Sequence, residues 1–210
     1  METALIIGAF ATLFVVIDPI GMAPIFVALT QGMESRQRRA IATRACLIAA
    51  GVLLVFAAFG EALLDFIGIS MSAFRIAGGI LLFITALQML FEERSKKREE
   101  KGEEAAAEDD RDPSVFPLAI PLIGGPGAIA TIILLVGQAD GNLIETGIYV
   151  GVMLGVLFAT WCMFMLAGPM ERALGKTGII VVTRLLGMLL AALSVQFVLD
   201  GLRDFGVGLS

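Results

Sequence analysis

Asp18-Pro-Ile-Gly-Met-Ala-Pro24 lies inside an apolar run from about residue 4 to 29, and Pro121-Leu-Ile-Gly-Gly-Pro126 lies inside another from about 115 to 137. Each run is long enough to cross a bilayer, which takes roughly 20 apolar residues per helix. Proline within a helix removes an amide donor and clashes with the carbonyl four residues back. Pro19 and Pro24 therefore free the carbonyls of Val15 and Ile20, and Pro121 and Pro126 those of Pro117 and Leu122. In hydrocarbon an unpaired backbone group persists only where protein or a wet cavity satisfies it. Two such breaks with the same Pro-to-Pro spacing and glycine between point to one shared polar site. The bland alternative is a pair of ordinary kinks, since proline and glycine are frequent in transmembrane helices.

Four further runs, about 41 to 60, 72 to 91, 144 to 167 and 179 to 200, bring the expected spans to six. Composition agrees, with 58% of the 210 residues apolar, 17% charged and a mean hydropathy of +0.90. The expected fold is an all-α membrane protein of six transmembrane helices, the first and fourth broken at the Pro/Gly motifs. Residues 1–91 form one three-helix repeat, 92–114 a polar linker and 115–210 the second repeat. An odd number of spans before the linker sets the two halves in opposite orientation. Arg75-Ile-Ala-Gly78 matches Arg184-Leu-Leu-Gly187 in the third span of each half, which favours an inverted repeat of the kind found among secondary transporters.

Ten of the twenty acids fall within Glu92 to Asp112, together with six bases, so most of the net charge of −5 belongs to that stretch. Its apolar content is three alanines, too little to offset its ordering entropy by burial, and a mobile or loosely helical linker is expected. A transporter should mostly tolerate its deletion, whereas a scaffold or sensor working through it should lose function. Connections on one side hold eleven bases: Arg36, Arg38, Arg39, six in the linker, Arg172 and Lys176. Arg203 is alone on the other side. The positive-inside rule then places the linker in the cytoplasm and both termini outside, in a cytoplasmic (inner) membrane. Met-Glu-Thr before the first run lacks the basic start of a signal peptide, so that run is expected to stay as a helix.

Histidine is absent, and Cys46 and Cys162 lack the spacing of a metal or redox pair. No enzymatic role and no metal or other cofactor is expected, and nothing in the chain suggests nucleic-acid binding. Asp18, in the middle of a span where a carboxylate costs roughly 2.5–3.5 kcal/mol, should face the interior. It is a candidate to bind a substrate ammonium or a coupling proton or sodium ion, or to cap the half-helix starting at Pro19. Helix ends at a break offer amides to an anion and carbonyls to a cation, a match for a zwitterion. Gly21, Gly124, Gly125 and Gly127 would let backbone approach a small ligand. The substrate-binding candidates are thus Asp18, Pro19, Gly21, Pro24, Gly124, Gly125, Pro126 and Gly127, with Asp18 and Gly124 to Gly127 expected about one substrate length apart.

Arg75 and Arg184, at equivalent helix starts, either snorkel to the interface or pair in a gating state with acids such as Glu61, Asp65 or Asp200. Thr85, Gln88, Thr131, Gln138, Ser194 and Gln196 either line a path or bond across helices. Gly147, Gly151 and Gly155 form a tandem GxxxG, expected to pack within the chain and otherwise to serve as a face for oligomers.

Ile17-Asp-Pro-Ile-Gly21 followed by Pro24, Pro121-Leu-Ile-Gly-Gly-Pro-Gly127 and the closing Gln196-Phe-Val-Leu-Asp-Gly201 together resemble the MarC family of integral membrane proteins over nearly the whole chain outside the linker. The resemblance implies six spans and, for some members, transport of glycine or alanine. The expected function is secondary transport of small neutral amino acids, with proton or sodium as candidate coupling ions. Export of another small metabolite, or a non-transporting scaffold or sensor, are the alternatives.

Overall fold

A computed structural model describes residues 2–107 and 112–206; Arg111, part of the charge asymmetry above, lies outside them. The described elements are all helical: α1 (Glu2–Ile17), α2 (Pro19–Leu29), α3 (Ser35–Phe66), α4 (Met71–Leu90), α5 (Glu93–Ala107), an irregular wide segment (Ser114–Ile123), α6 (Pro126–Gly137), α7 (Leu143–Met165) and α8 (Ala167–Asp204). Five stretches are long and apolar enough to span a membrane: Leu5–Leu29, α3, α4, α7 and α8. The irregular segment and α6, bent by 52° to each other, make a sixth if counted as one. Side chains such as Leu47, Phe59 and Phe158 lie exposed along α3 and α7, as expected where lipid is the solvent.

Lipid tails are as apolar as leucine, so helices in a bilayer associate through close packing more than through a hydrophobic drive. The α4–α8 pair illustrates this. A Cβ on Gly79 would sit 2.8 Å from the Ser194 carbonyl oxygen, one on Gly187 3.2 Å from that of Ala86, and one on Gly201 3.0 Å from that of Ser72. The register falls along α4 as it rises along α8, so the two helices are antiparallel with their backbones touching. Elsewhere Phe26 of α2 stacks on Phe164 of α7 at 4.5 Å, and α3 lies against the irregular segment and α6. Gly147, Gly151 and Gly155 have nothing within 4 Å of a Cβ placed on them, so this stripe faces out of the bundle and does not make the expected contact within the chain.

The stretch read as a loose linker is the largest departure. Residues 93–107 are helical, and Arg98 is 5% exposed. Arg94, Arg98 and Gly102 recur every four residues and so share one face of the helix. That face turns inward: a Cβ on Gly102 would lie 3.2 Å from Ile25 of α2. The local composition supplies no apolar stripe, and charge takes its place.

Candidate functional site

The site is built around the end of α1. Asp18 adopts φ 56°, ψ 64°, a left-handed conformation that separates α1 from α2 and that aspartate tolerates better than most residues. Its Oδ1 accepts the Gly21 N–H at 3.0 Å, which caps α2 at Pro19. Oδ2 accepts from Arg98 Nη1 at 2.8 Å, and Asp18 is 1% exposed. The interrupted helix leaves carbonyls to be satisfied, and arginines of α5 take them: Arg98 donates to Ile17 O at 3.2 Å and Arg94 to Val16 O at 2.6 Å. Arg94 also donates to the Met89 thioether at 3.2 Å. Burial, reinforced by the like charge of Arg98 and opposed by Asp18, pulls the Arg94 guanidinium down to about 9. It stays charged at neutral pH but is short of counter-charge.

The second Pro/Gly segment approaches from the other side. In the irregular segment Phe116 (φ −127°, ψ 127°) and Ile120 (φ −132°, ψ 124°) are extended, each just before a proline, the conformation that a following proline favours. Pro126 then opens α6, and the first helical bond runs from Ile129 N–H to Gly125 O at 3.0 Å. A Cβ on Gly127 would lie 3.2 Å from Val16, two residues before Asp18. Arg98 and Arg94 also line a cleft of ≈ 200 Å³ with Pro121, Leu122 and Pro126. The arginines of α5 thus lie between the first motif and the second.

Comparison with known proteins decides the family. The model for MarC family integral membrane proteins matches residues 3–205. The chain belongs to the MarC family. A UPF0056 membrane protein of Archaeoglobus fulgidus is 37% identical to this MarC protein over 197 residues, covering 94% of this chain and 92% of its own. UPF0056 membrane protein YvbG of Bacillus subtilis is 36% identical over 207 residues, covering 97% and 96%. UPF0056 inner membrane protein YhgN of Escherichia coli is 35% identical over 198, covering 94% and 96%. No solved structure matches.

In this MarC protein the expected residues differ in burial. Pro19 and Gly21 are buried beside Asp18, and Gly124 and Gly125 are buried at the bend, whereas Pro126 is exposed. Two of the glycines lie tightly against the protein's own groups. A Cβ on Gly21 would stand 2.3 Å from Asp18 Oδ2, and one on Gly125 2.3 Å from the Pro121 carbonyl oxygen. Arg75, near the start of α4, pairs with Asp204 at the end of α8, and Arg184, midway along α8, pairs with Glu92 just after α4; Glu61, Asp65 and Asp200 are not their partners. Arg94 and Arg98 escaped the sequence reading because they sit in a strongly polar stretch. The available signal was their four-residue spacing together with an intramembrane aspartate that had no assigned counter-charge.

Proposed function

We propose that this MarC-family protein is a secondary transporter of small neutral amino acids of glycine or alanine size across the cytoplasmic membrane. The observation that carries this reading is the buried Asp18–Arg98 pair, 2.8 Å apart, between two Pro/Gly segments. Taking two ions out of water costs several kcal/mol each, and a buried intramembrane ion pair marks a functional place before it marks a stabilising one. Asp18 can exchange one cation for another without leaving the site uncompensated: Arg98 in the closed state, a solute ammonium in the loaded one. A proton or sodium ion replacing Arg98 in the same way supplies coupling. The Asp18 cap on Gly21 fixes the carboxylate while its partner changes.

Two three-helix halves of opposite orientation accommodate this cycle. Support comes from the antiparallel α4–α8 pair, with glycines from both helices at the contact, and from the reciprocal Arg75–Asp204 and Arg184–Glu92 pairs. Residues 92–112 then lie on the cytoplasmic side, with both termini outside. The test is counterflow of labelled alanine in proteoliposomes, comparing wild type, Asp18→Asn and empty liposomes. Accumulation that glycine competes away, lost or altered in its pH dependence in Asp18→Asn, is expected. No accumulation by folded, inserted wild type would overturn the amino-acid assignment.

A further inference from the structure

We propose that the cleft between α5 and the Pro121–Pro126 bend seats the carboxylate of the transported solute, with Arg94 as its principal cation and Gln88 and Lys97 at its edge. The inference rests on the transport reading and supplies the other half of the site, since Asp18 answers only to a cation.

Charge is the first ground. Around the end of α1 stand one anion, Asp18, and two cations, Arg94 and Arg98. Asp18 is committed to Arg98 and the Gly21 amide. Among the described residues Arg94 makes no ion pair. Of the five N–H donors a guanidinium carries, its bonds use one on a carbonyl and one on a thioether. One positive charge is left over, and it borders an open space of ≈ 200 Å³ whose other walls are Gln88, Lys97, Arg98, Pro121, Leu122 and Pro126. The second ground is the backbone beside it. Pro126 has no N–H, and the amides of Gly127 and Ala128 precede the first bond of α6, so the positive end of that helix opens at the same bend.

A carboxylate fits these features better than a phosphate. The surplus is a single positive charge, which a dianion would overshoot, and the planar guanidinium fork matches the two oxygens of a carboxylate. When the solute ammonium displaces Arg98 from Asp18, Arg98 is released beside the same cleft. The zwitterion, itself neutral, then stands between Asp18 and the two arginines, so the centre keeps the single positive surplus it had before, with the solute carboxylate shared between Arg94 and Arg98.

The experiment is thermal unfolding of the purified full-length protein in neutral detergent with increasing sodium acetate, against sodium chloride at equal ionic strength. Wild type, Arg94→Gln and Arg94→Lys are compared. Acetate is expected to raise the wild-type midpoint saturably, with apparent affinity falling roughly ten- to hundred-fold in Arg94→Gln, as for loss of a hydrogen bond to a charged group. The loss should be smaller in Arg94→Lys, which keeps the charge and carries the comparison if Arg94→Gln does not fold. Methylammonium, the cationic half alone, should not distinguish the variants. Acetate acting no differently from chloride, or acting equally on all three proteins, overturns the assignment. So does a site filled by phosphatidylglycerol in place of acetate, because the anion is then a lipid headgroup. Alanine counterflow on the same proteins separates the two proposals. An Arg94-dependent acetate response without alanine flux keeps the anion seat and removes the amino-acid reading, and alanine flux unchanged by Arg94→Gln keeps transport and removes the seat.

Discussion

Arg98 reaches back to Asp18 over 80 residues of sequence and donates to it at 2.8 Å, where the two side chains are 6% and 1% exposed. Removing one partner of a buried pair strands the other charge, which costs about 3–5 kcal/mol, whereas removing both costs far less. Arg98→Met is therefore expected to lower stability by about that much. Asp18→Asn should fall in the same range, although asparagine can still accept from Gly21. The double variant Asp18→Asn/Arg98→Met should recover most of the loss. Unfolding midpoints in detergent for the four proteins form the cycle, and additive losses would show that the two side chains do not act on each other.

The glycines divide by what surrounds them. Gly125→Ala drives a methyl to 2.3 Å from the Pro121 carbonyl oxygen, which is backbone and fixed at the bend; Gly21→Ala drives one to the same distance from Asp18 Oδ2, which Arg98 holds. Overpacking of this kind costs about 1–3 kcal/mol or more, with Gly125→Ala expected at the upper end because backbone yields less than a side chain. Gly151→Ala meets nothing within 4 Å and gains up to about 1 kcal/mol of helix propensity. Folded yield by size-exclusion profile should therefore rank Gly151→Ala above Gly21→Ala above Gly125→Ala. Equal behaviour of the three would refute the close contacts.

The spans were legible because hydropathy is a local property. The runs at 72–91 and 144–167 correspond to Met71–Leu90 and Leu143–Met165 almost residue for residue. Where polar turns extend a helix the reading fell short, since α3 begins at Ser35, ahead of its apolar stretch; α8 instead breaks at Gly175 (φ 63°, ψ 173°), just before the run read from about 179. The inward packing of α5 was not legible, because it depends on partners far along the chain: a carboxylate at Asp18 and carbonyls at Val16 and Ile17. Composition weighs Arg94 and Arg98 as solvated charges, and only the tertiary fold turns them onto the end of α1. Loss of function on deleting 92–112 is accordingly expected of a transporter as well as of a scaffold, since the deletion strips Asp18 of its counter-charge.

Asp112 anchors the start of the irregular segment. Its Oδ1 accepts from the Ser114 hydroxyl at 2.6 Å and from the Ser114 N–H at 2.9 Å, and Arg44 pairs with its other oxygen. The Ser114 hydroxyl above all holds the carboxyl below its ordinary 3.8; burial, the next largest effect, opposes it, and the Ser114 amide and Arg44 add to the lowering. A depressed carboxylate contributes stability that is present above its unfolded pKa and fades as pH falls through the lower folded one. The side chain is 37% exposed, so solvent screening keeps the contribution to about 1 kcal/mol or less. The stability difference between wild type and Asp112→Asn should stay constant from pH 7 to 5 and shrink below about pH 4. A difference that grows on acidification would reverse the assignment.

Orientation is testable at the two ends of the bundle. Lys176 pairs with Glu99 at 3.2 Å and Arg184 with Glu92, so α5 and the part of α8 that follows its break at Gly175 share one end. Arg38 stands over Phe26, which brings the start of α3 to that end as well. The bases of three separate connections therefore converge there, and short basic connections are retained in the cytoplasm. Gln138, beyond the far end of α6, is exposed at the opposite end. With Cys46 and Cys162 replaced by alanine, Gln138→Cys in intact cells should react with a membrane-impermeant maleimide, and Gln31→Cys should react only after permeabilisation. Labelling in the reverse order would invert the protein in the membrane and place α5, with its grip on Asp18, on the outer side.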